Sequence, residues 1–87
     1  MNKDSTVEGL LLRMVTVLVD KSDEVSVTSV TADNGTIFQV GVAPSDVGKV
    51  IGKSGRMAMA IRTLLSAIGV SHKTRYGLSI VANGNQL

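Results

Sequence analysis

A short loop framed by two glycines is the part of the sequence best suited to binding chemistry. Gly52, Lys53, Ser54 and Gly55 stand between two segments with a helical pattern. Glycines let a backbone approach a phosphate without an intervening Cβ, and free amides at the start of the next helix can donate hydrogen bonds to an anion. Lys53 and Arg56 add full positive charges. The loop predicts a site for a nucleic-acid backbone; the alternative is a helix–helix corner whose glycines only satisfy backbone geometry.

The charge distribution along the chain supports an anionic partner. All seven acidic residues lie in the first 46 positions, and the chain from Val47 onward carries six cations and no acid. A segment this basic is typical of a protein that binds a polyanion, although a solvated basic surface would show the same pattern. The six cations are Lys49, Lys53, Arg56, Arg62, Lys73 and Arg75.

The sequence excludes a nucleotide-hydrolase loop and disfavours a DNA-reading helix. The phosphate-binding loop of nucleotide hydrolases has four residues between its first glycine and Gly-Lys-Ser, but only three separate Gly48 from Gly52. A DNA-reading helix-turn-helix presents base-reading side chains on its second helix. The segment after Gly55 offers no asparagine or glutamine for this purpose.

Catalysis is not expected from this sequence. There is no cysteine, and His72 is the only histidine. No nucleophile stands with a base, and no spacing suggests a metal cluster. We therefore expect no catalytic residue, no metal and no cofactor, and we predict that the chain is not an enzyme.

The hydrophobic pattern predicts an α+β fold. A helix is expected over residues 5–20, followed by a hairpin of two strands around Asp33-Asn34-Gly35. The alternation of the first strand slips at Val30, which predicts a bulge or a strand end there. The second strand is expected to end before Pro44.

Two helices and a strand are expected in the rest of the chain. Asp46 is expected to cap a helix over residues 47–51, and Ser54 to cap a longer one that Gly69 ends. A last strand spans residues 78–81. The order α-β-β-α-α-β places the second and third strands parallel, in a mixed three-stranded sheet with helices on one face. We assign a single domain to residues 5–82, with flexible ends at 1–4 and 83–87.

Several short motifs together resemble a known family. They are Val42-Ala43-Pro44, the run from Gly48 to Lys53, Gly55-Arg56 and Ala60-Ile61-Arg62. They resemble the type II KH domain and, more closely, the KhpA family of small bacterial RNA-binding proteins. The similarity covers nearly the whole chain, and the predicted element order is that of the type II KH fold.

The resemblance implies a groove that clamps about four nucleotides of single-stranded RNA. Its walls would be the two helices, the glycine loop and the second strand, with Phe38 or Val40 at or beneath the base-binding wall beside Ile61. The segment from His72 to Arg75 would correspond to the variable loop. The residues expected to bind RNA are Lys49, Ile51, Gly52, Lys53, Ser54, Gly55, Arg56, Met57, Arg62, Lys73 and Arg75.

The resemblance also implies a biological role. It predicts an RNA chaperone in post-transcriptional regulation, linked to the cell envelope, cell-wall biogenesis and cell shape. The protein would be cytoplasmic, without membrane attachment, and would form a homodimer or pair with a larger KH-domain protein of the KhpB type. Because aromatic residues are only 2% of the chain, we expect weak and loosely selective RNA binding. The alternative is a protein-interaction or dimerisation module that keeps the KH fold without significant RNA binding.

Overall fold

Three α-helices and three β-strands follow one another in the predicted order α-β-β-α-α-β. The computed structural model describes residues 3–83 of the 87. Short 3-10 turns precede β1, α2 and α3. The elements are α1 (Lys3–Leu18), β1 (Ser26–Ala32), β2 (Gly35–Val42), α2 (Val47–Ile51), α3 (Arg56–His72) and β3 (Tyr76–Ala82).

The sheet is mixed, as predicted, with β2 in its centre. β2 pairs antiparallel with β1 and parallel with β3. The β1–β2 register is continuous, so the bulge or strand end expected at Val30 is wrong. Val30 stands opposite Ile37, and both side chains are more than half exposed. The apolar–polar alternation of the sequence shifts at Val30 because Val30 and Ile37 form an apolar pair on the solvent-exposed face of the sheet.

The hydrophobic core lies between the sheet and the helices that cover its other face. Phe38 and Tyr76 meet edge to face, with ring centroids 5.1 Å apart. Burying an aliphatic or aromatic side chain contributes about 1.5–3 kcal/mol, so these few residues supply most of the driving force for folding. The core side chains are Val7, Leu11, Val15, Phe38, Val40, Val42, Val50, Ile61, Leu65 and Tyr76. No helix within residues 3–83 has the length and apolar character needed to cross a membrane.

The folded part extends slightly beyond residues 5–82. Asp4 lies in α1, where its carboxylate accepts hydrogen bonds from the hydroxyls of Thr36 (3.1 Å) and Tyr76 (2.9 Å). The backbone amide of Asn83 donates to the carbonyl of Val42. Asp4 and Asn83, assigned from the sequence to flexible ends, therefore contact the sheet. Residues 1, 2 and 84–87, the rest of those ends, lie outside the described residues.

α3 does not end at Gly69, which corrects the sequence prediction. The helix continues to His72 and is closed by Lys73, whose φ of 57° is left-handed. Gly69 is buried, and a Cβ there would lie 2.6 Å from the carbonyl oxygen of Thr74. The glycine is needed because the chain that leaves the helix passes directly against it.

Candidate nucleic-acid interface

Gly52 turns the chain sharply between α2 and α3. Its φ of 76° and ψ of 177° form a combination that is open essentially to glycine alone. A Cβ at this position would lie 2.7 Å from the Cβ of Met57. The short helix predicted over residues 47–51 and its end at Gly52 are confirmed. Gly52 therefore brings the end of α2 against the start of α3.

The loop leaves backbone donors open at the N-terminus of α3. Ser54 and Gly55 both have left-handed φ angles, 54° and 75°. Gly55 donates its amide to the carbonyl of Gly52. Ser54 does not cap α3: the N-cap is Gly55, and no side chain bonds to the helix start. The uncapped amides in the first turn of α3 can therefore donate hydrogen bonds to an anionic ligand.

The cations beside the loop differ in their availability. Lys53 and Arg56 are exposed and form no salt bridge within residues 3–83. Lys49 is engaged, since its Nζ lies 3.2 Å from a carboxylate oxygen of Asp20 and 3.8 Å from one of Asp46. Lys53 and Arg56 therefore carry most of the free positive charge at the loop. Arg62 is also exposed, further along α3.

Asp46 anchors α2 in a way that the sequence did not reveal. It occupies the N-cap position of α2 but makes no capping hydrogen bond. Its carboxylate is 1% exposed and accepts hydrogen bonds from the backbone amides of Lys21 (2.9 Å) and Asp20 (3.2 Å). The bond from Lys21 is the main cause that lowers the pKa of Asp46 below its ordinary value of 3.8, partly opposed by burial. Asp46 therefore does not act as the expected cap. Its carboxylate links the α1–β1 connection to α2, the helix that leads into the loop.

The apolar residues near the loop are only partly covered. Ile51 and Met57 are 37% and 36% exposed, so they can meet a base. Ile61 is nearly buried, and Phe38 and Val40 are fully buried. These last three therefore lie beneath the surface.

The strand that borders the helices of the site is β3 and not β2. α2 and α3 both pack against β3, whereas β2 has a neighbouring strand on each side. The expectation that the second strand forms a wall of the groove is therefore corrected. Leu78 and Ile80 are the partly exposed apolar residues of β3 that pack against the core.

Lys73 and Arg75 lie at the far end of α3. Seventeen helical residues span about 25 Å, so the two cations are separated from the loop by roughly that distance. They line a surface pocket of about 440 Å³ together with Val70 and Thr74 and the turn residues Asp33 and Asn34. The expected RNA-binding residues thus form a cluster at the loop and a second cluster at the opposite end of the helix, with Arg62 between them.

A mixed sheet whose central strand leads through two helices and a glycine loop into a parallel strand defines a type II KH domain. The helices pack on one face, and the loop joins them. KH domains use this loop to clamp the backbone of about four nucleotides.

The chain belongs to the KhpA/KhpB family of KH domains, whose family model matches residues 8–80. It is 49% identical over 74 residues to the RNA-binding protein KhpA of Treponema pallidum, an alignment covering 85% of this chain and 92% of that protein. It is 46% identical over 72 residues to the RNA-binding protein KhpA of Clostridium acetobutylicum, covering 83% and 96% of the two chains. No solved structure gives a significant match.

Family membership also confirms the prediction that the chain is not an enzyme. The KH domain is an RNA-recognition module. The geometry of the loop agrees with a binding role, because it presents hydrogen-bond donors and positive charge.

Proposed function

We propose that this protein binds single-stranded RNA through the loop from Gly52 to Gly55. The observation that carries the proposal is the uncapped N-terminus of α3 beside two exposed cations, Lys53 and Arg56. Charge-assisted hydrogen bonds from such donors to phosphate are about twice as strong as neutral ones. The relatives named RNA-binding protein KhpA support RNA as the ligand.

We expect the protein to distinguish one base from another only weakly. The two aromatic side chains, Phe38 and Tyr76, are both buried, so neither offers a face for base stacking. Ile51 and Met57 supply apolar contact instead. Such contacts distinguish bases poorly, and we therefore expect loose sequence selectivity.

We expect a smaller contribution to RNA affinity from Lys49 and from the distant pair Lys73 and Arg75. Lys49 would have to exchange a carboxylate of Asp20 for a phosphate, which reduces its net contribution. Lys73 and Arg75 would contact only an RNA that extends well beyond the loop. With three or four phosphates contacted in total, the logarithm of affinity should fall with the logarithm of salt concentration with a slope of about −2 to −3.

The test is a fluorescence-anisotropy titration of a short single-stranded RNA at two salt concentrations. The double variant Lys53→Asp with Ser54→Asp places two carboxylates at the proposed phosphate site. We expect a loss of affinity of roughly a hundredfold, or about 2.8 kcal/mol. The circular dichroism spectrum should not change, because both side chains are exposed.

The chain offers a matched control for this variant. Thr6 and Arg13 are also exposed, and lie two turns apart on α1, which does not carry the loop. The double variant Thr6→Asp with Arg13→Asp makes the same change in net charge on a different helix, so it should retain most of the affinity. Equal losses in the two double variants would show that only total charge matters. Unchanged binding by both would leave the alternative of a KH-fold interaction module without RNA binding.

The biological role forms the finer part of the proposal. On the strength of the family resemblance, we propose a cytoplasmic RNA chaperone in post-transcriptional regulation, linked to cell-envelope biogenesis and cell shape. Loss of the gene in its own organism should then change both the stability of bound transcripts and cell shape. Crosslinking in cells followed by RNA sequencing would identify the transcripts.

Self-association, or pairing with a larger KH-domain protein of the KhpB type, belongs to the same proposal. Exposed apolar side chains on α3 support it, because Met59 and Val70 are 66% and 77% exposed. Linking two weak RNA sites would raise the effective affinity by avidity. Sedimentation of the purified chain at tens of micromolar decides the homodimer, and a strict monomer would argue against it.

A further inference from the structure

β1 is an edge strand without the usual protection against further pairing. It spans Ser26–Ala32 and pairs only with β2. Natural edge strands are commonly blocked by a lysine, a proline, a bulge or a covering segment. β1 contains no charged residue and no proline, its register is regular, and no part of residues 3–83 pairs with its outer side. Half of its backbone donors and acceptors therefore point outward.

The start of this edge is acidic, in contrast to the surroundings of the glycine loop. Asp23 and Glu24 lie just before the strand. At the other end, Asp33 shares a surface pocket with Lys73 and Arg75. The acids at the start repel phosphate there, so the start of the edge is not a second RNA site, and they favour a partner that carries positive charge.

An apolar contact lies next to the edge on the open face of the sheet. Val30 is 60% exposed and stands opposite Ile37, which is 53% exposed. A strand added beside β1 would place alternate side chains on this face, one of them next to Val30. The residue that contacts Val30 would therefore be apolar.

We propose that the free edge of β1 is a strand-addition site for an extended segment of another protein, with β-branched or apolar residues in its centre and lysine or arginine at its ends. Backbone hydrogen bonds to β1 supply the affinity, and side chains that contact Val30 and the flanking acids supply the selectivity. This site goes beyond RNA binding and lies on the opposite edge of the sheet from β3, which borders the helices that carry the loop.

A second copy of this chain fits the edge poorly. Antiparallel pairing of two β1 strands centred on Ser29 would set Asp33 of one copy opposite Val25 of the other and diagonal to its Asp23, at both ends of the pair. Like charges across neighbouring strands are destabilising. The occupant is therefore a basic segment and not the same strand of a second molecule.

The test is an NMR titration of the full chain with three synthetic peptides. The first is Lys-Lys-Val-Thr-Val-Thr-Val-Lys-Lys, the second has glutamate in place of every lysine, and the third has proline in place of both threonines. We expect the first peptide to shift the amide signals of Ser26–Ala32 and to slow their hydrogen exchange. The second peptide should bind at least about tenfold more weakly, because its glutamates are repelled by the acids beside β1. The third peptide should also bind at least about tenfold more weakly, because its prolines have no backbone N–H to donate.

Variants of the edge complete the test. Glu24→Lys with Asp33→Lys should reverse the preference between the lysine and glutamate peptides. Val30→Lys places a charge at the exposed contact and should abolish binding without unfolding the sheet. The variant Lys53→Asp with Ser54→Asp should bind the peptides unchanged, which separates this site from the RNA site.

Several outcomes would overturn the proposal. These are an absence of shifts at millimolar peptide, shifts confined to α1 or the glycine loop, and equal binding of the lysine and glutamate peptides. Protection of the β1 amides that rises with protein concentration alone would assign the edge to a second copy, and shifts of these amides by RNA would assign it to nucleic acid.

Discussion

The two ends of α3 differ in the hydrogen-bond partners that the fold provides for their backbone groups. At the start of the helix no side chain caps the amides. At its end the amide of Lys73 donates to the carbonyl of Val70, and the amide of Thr74 donates to that of Gly69. A helix leaves about four unpaired groups at each end, and they need partners from the fold, from water or from a ligand. In this helix the fold supplies partners at the C-terminal end and leaves the N-terminal end for a ligand.

Side chains strengthen the closed end further. The hydroxyl of Tyr76 donates to the carboxylate of Asp4 at 2.9 Å and lies 3.1 Å from Nδ1 of His72. Burial, together with the bond to Asp4, raises the pKa of Tyr76 above its ordinary value of 10.0. This network joins the first turn of α1, the last turn of α3 and the start of β3. The difference between the ends separates a part of the domain that maintains the fold from a part that can bind.

The largest effect should follow from a change at the closed end. In Gly69→Ala, the new methyl group would collide with the carbonyl oxygen of Thr74, a backbone atom that cannot move away easily. We expect a loss of about 2–3 kcal/mol in the free energy of unfolding, measured by urea denaturation. Gly9→Ala is the matched control, because Gly9 also lies inside a helix but faces open space. That variant should gain up to about 1 kcal/mol.

A change at the open end should act on binding at least as strongly as on stability. Gly52→Ala forces alanine into a conformation that costs about 1–3 kcal/mol, and the loop is expected to relax in response. We expect a loss of about 1 kcal/mol in stability and a loss of RNA affinity of roughly tenfold. Gly48→Ala, on α2 with open space around it, should leave RNA affinity nearly unchanged and should gain up to about 1 kcal/mol in stability, as Gly9→Ala does. Full RNA affinity in Gly52→Ala would contradict the role given to the loop geometry.

The side-chain network should contribute less than the backbone contact at Gly69. Tyr76→Phe removes the hydroxyl that joins Asp4 to His72 but keeps the ring contact with Phe38. We expect a loss of about 1 kcal/mol in thermal or urea unfolding. RNA affinity should not change, since the network lies at the far end of α3. A fall in affinity without a fall in stability would remove the distinction between the two ends.

The anchor of α2 should make the stability of the fold depend on pH in the acid range. The folded state holds the pKa of Asp46 below 3.8, so its carboxylate stabilises the fold above that pH and the contribution is lost as pH falls through the lower, folded-state pKa. The wild-type midpoint of urea unfolding should be steady from about pH 7 to about pH 5 and should decline below about pH 4. Asp46→Asn should show a shallower decline over the same range. Parallel curves for the two proteins would show that other carboxylates cause the acid sensitivity.

Local signals in the sequence were sufficient for much of the fold and for the location of the loop. The helical spacing of Val7 and Leu11, the turn at Asp33-Asn34 and the glycine at position 52 each act through neighbours a few residues away. The continuous register at Val30 was missed because periodicity does not distinguish an exposed valine from a displaced strand.

The availability of the charges could not be predicted in the same way. Lys49 is paired with Asp20, which lies 29 positions earlier in the sequence, and the carboxylate of Asp46 reaches the backbone of the α1–β1 connection. Lys73 and Arg75 are as basic as Lys53, but the length of α3 sets them apart from the loop.

By itself, the sequence determined the element order, the parallel pairing of β2 with β3 and the loop that can approach a phosphate. Backbone preference and hydrophobic periodicity are local properties, and they act in the unfolded chain as well as in the folded one. The tertiary structure decided which cations stay free, which strand borders the helices, why Gly69 is a glycine and which end of α3 remains open. These properties depend on contacts between distant segments, and such contacts exist only after the chain has packed around its core.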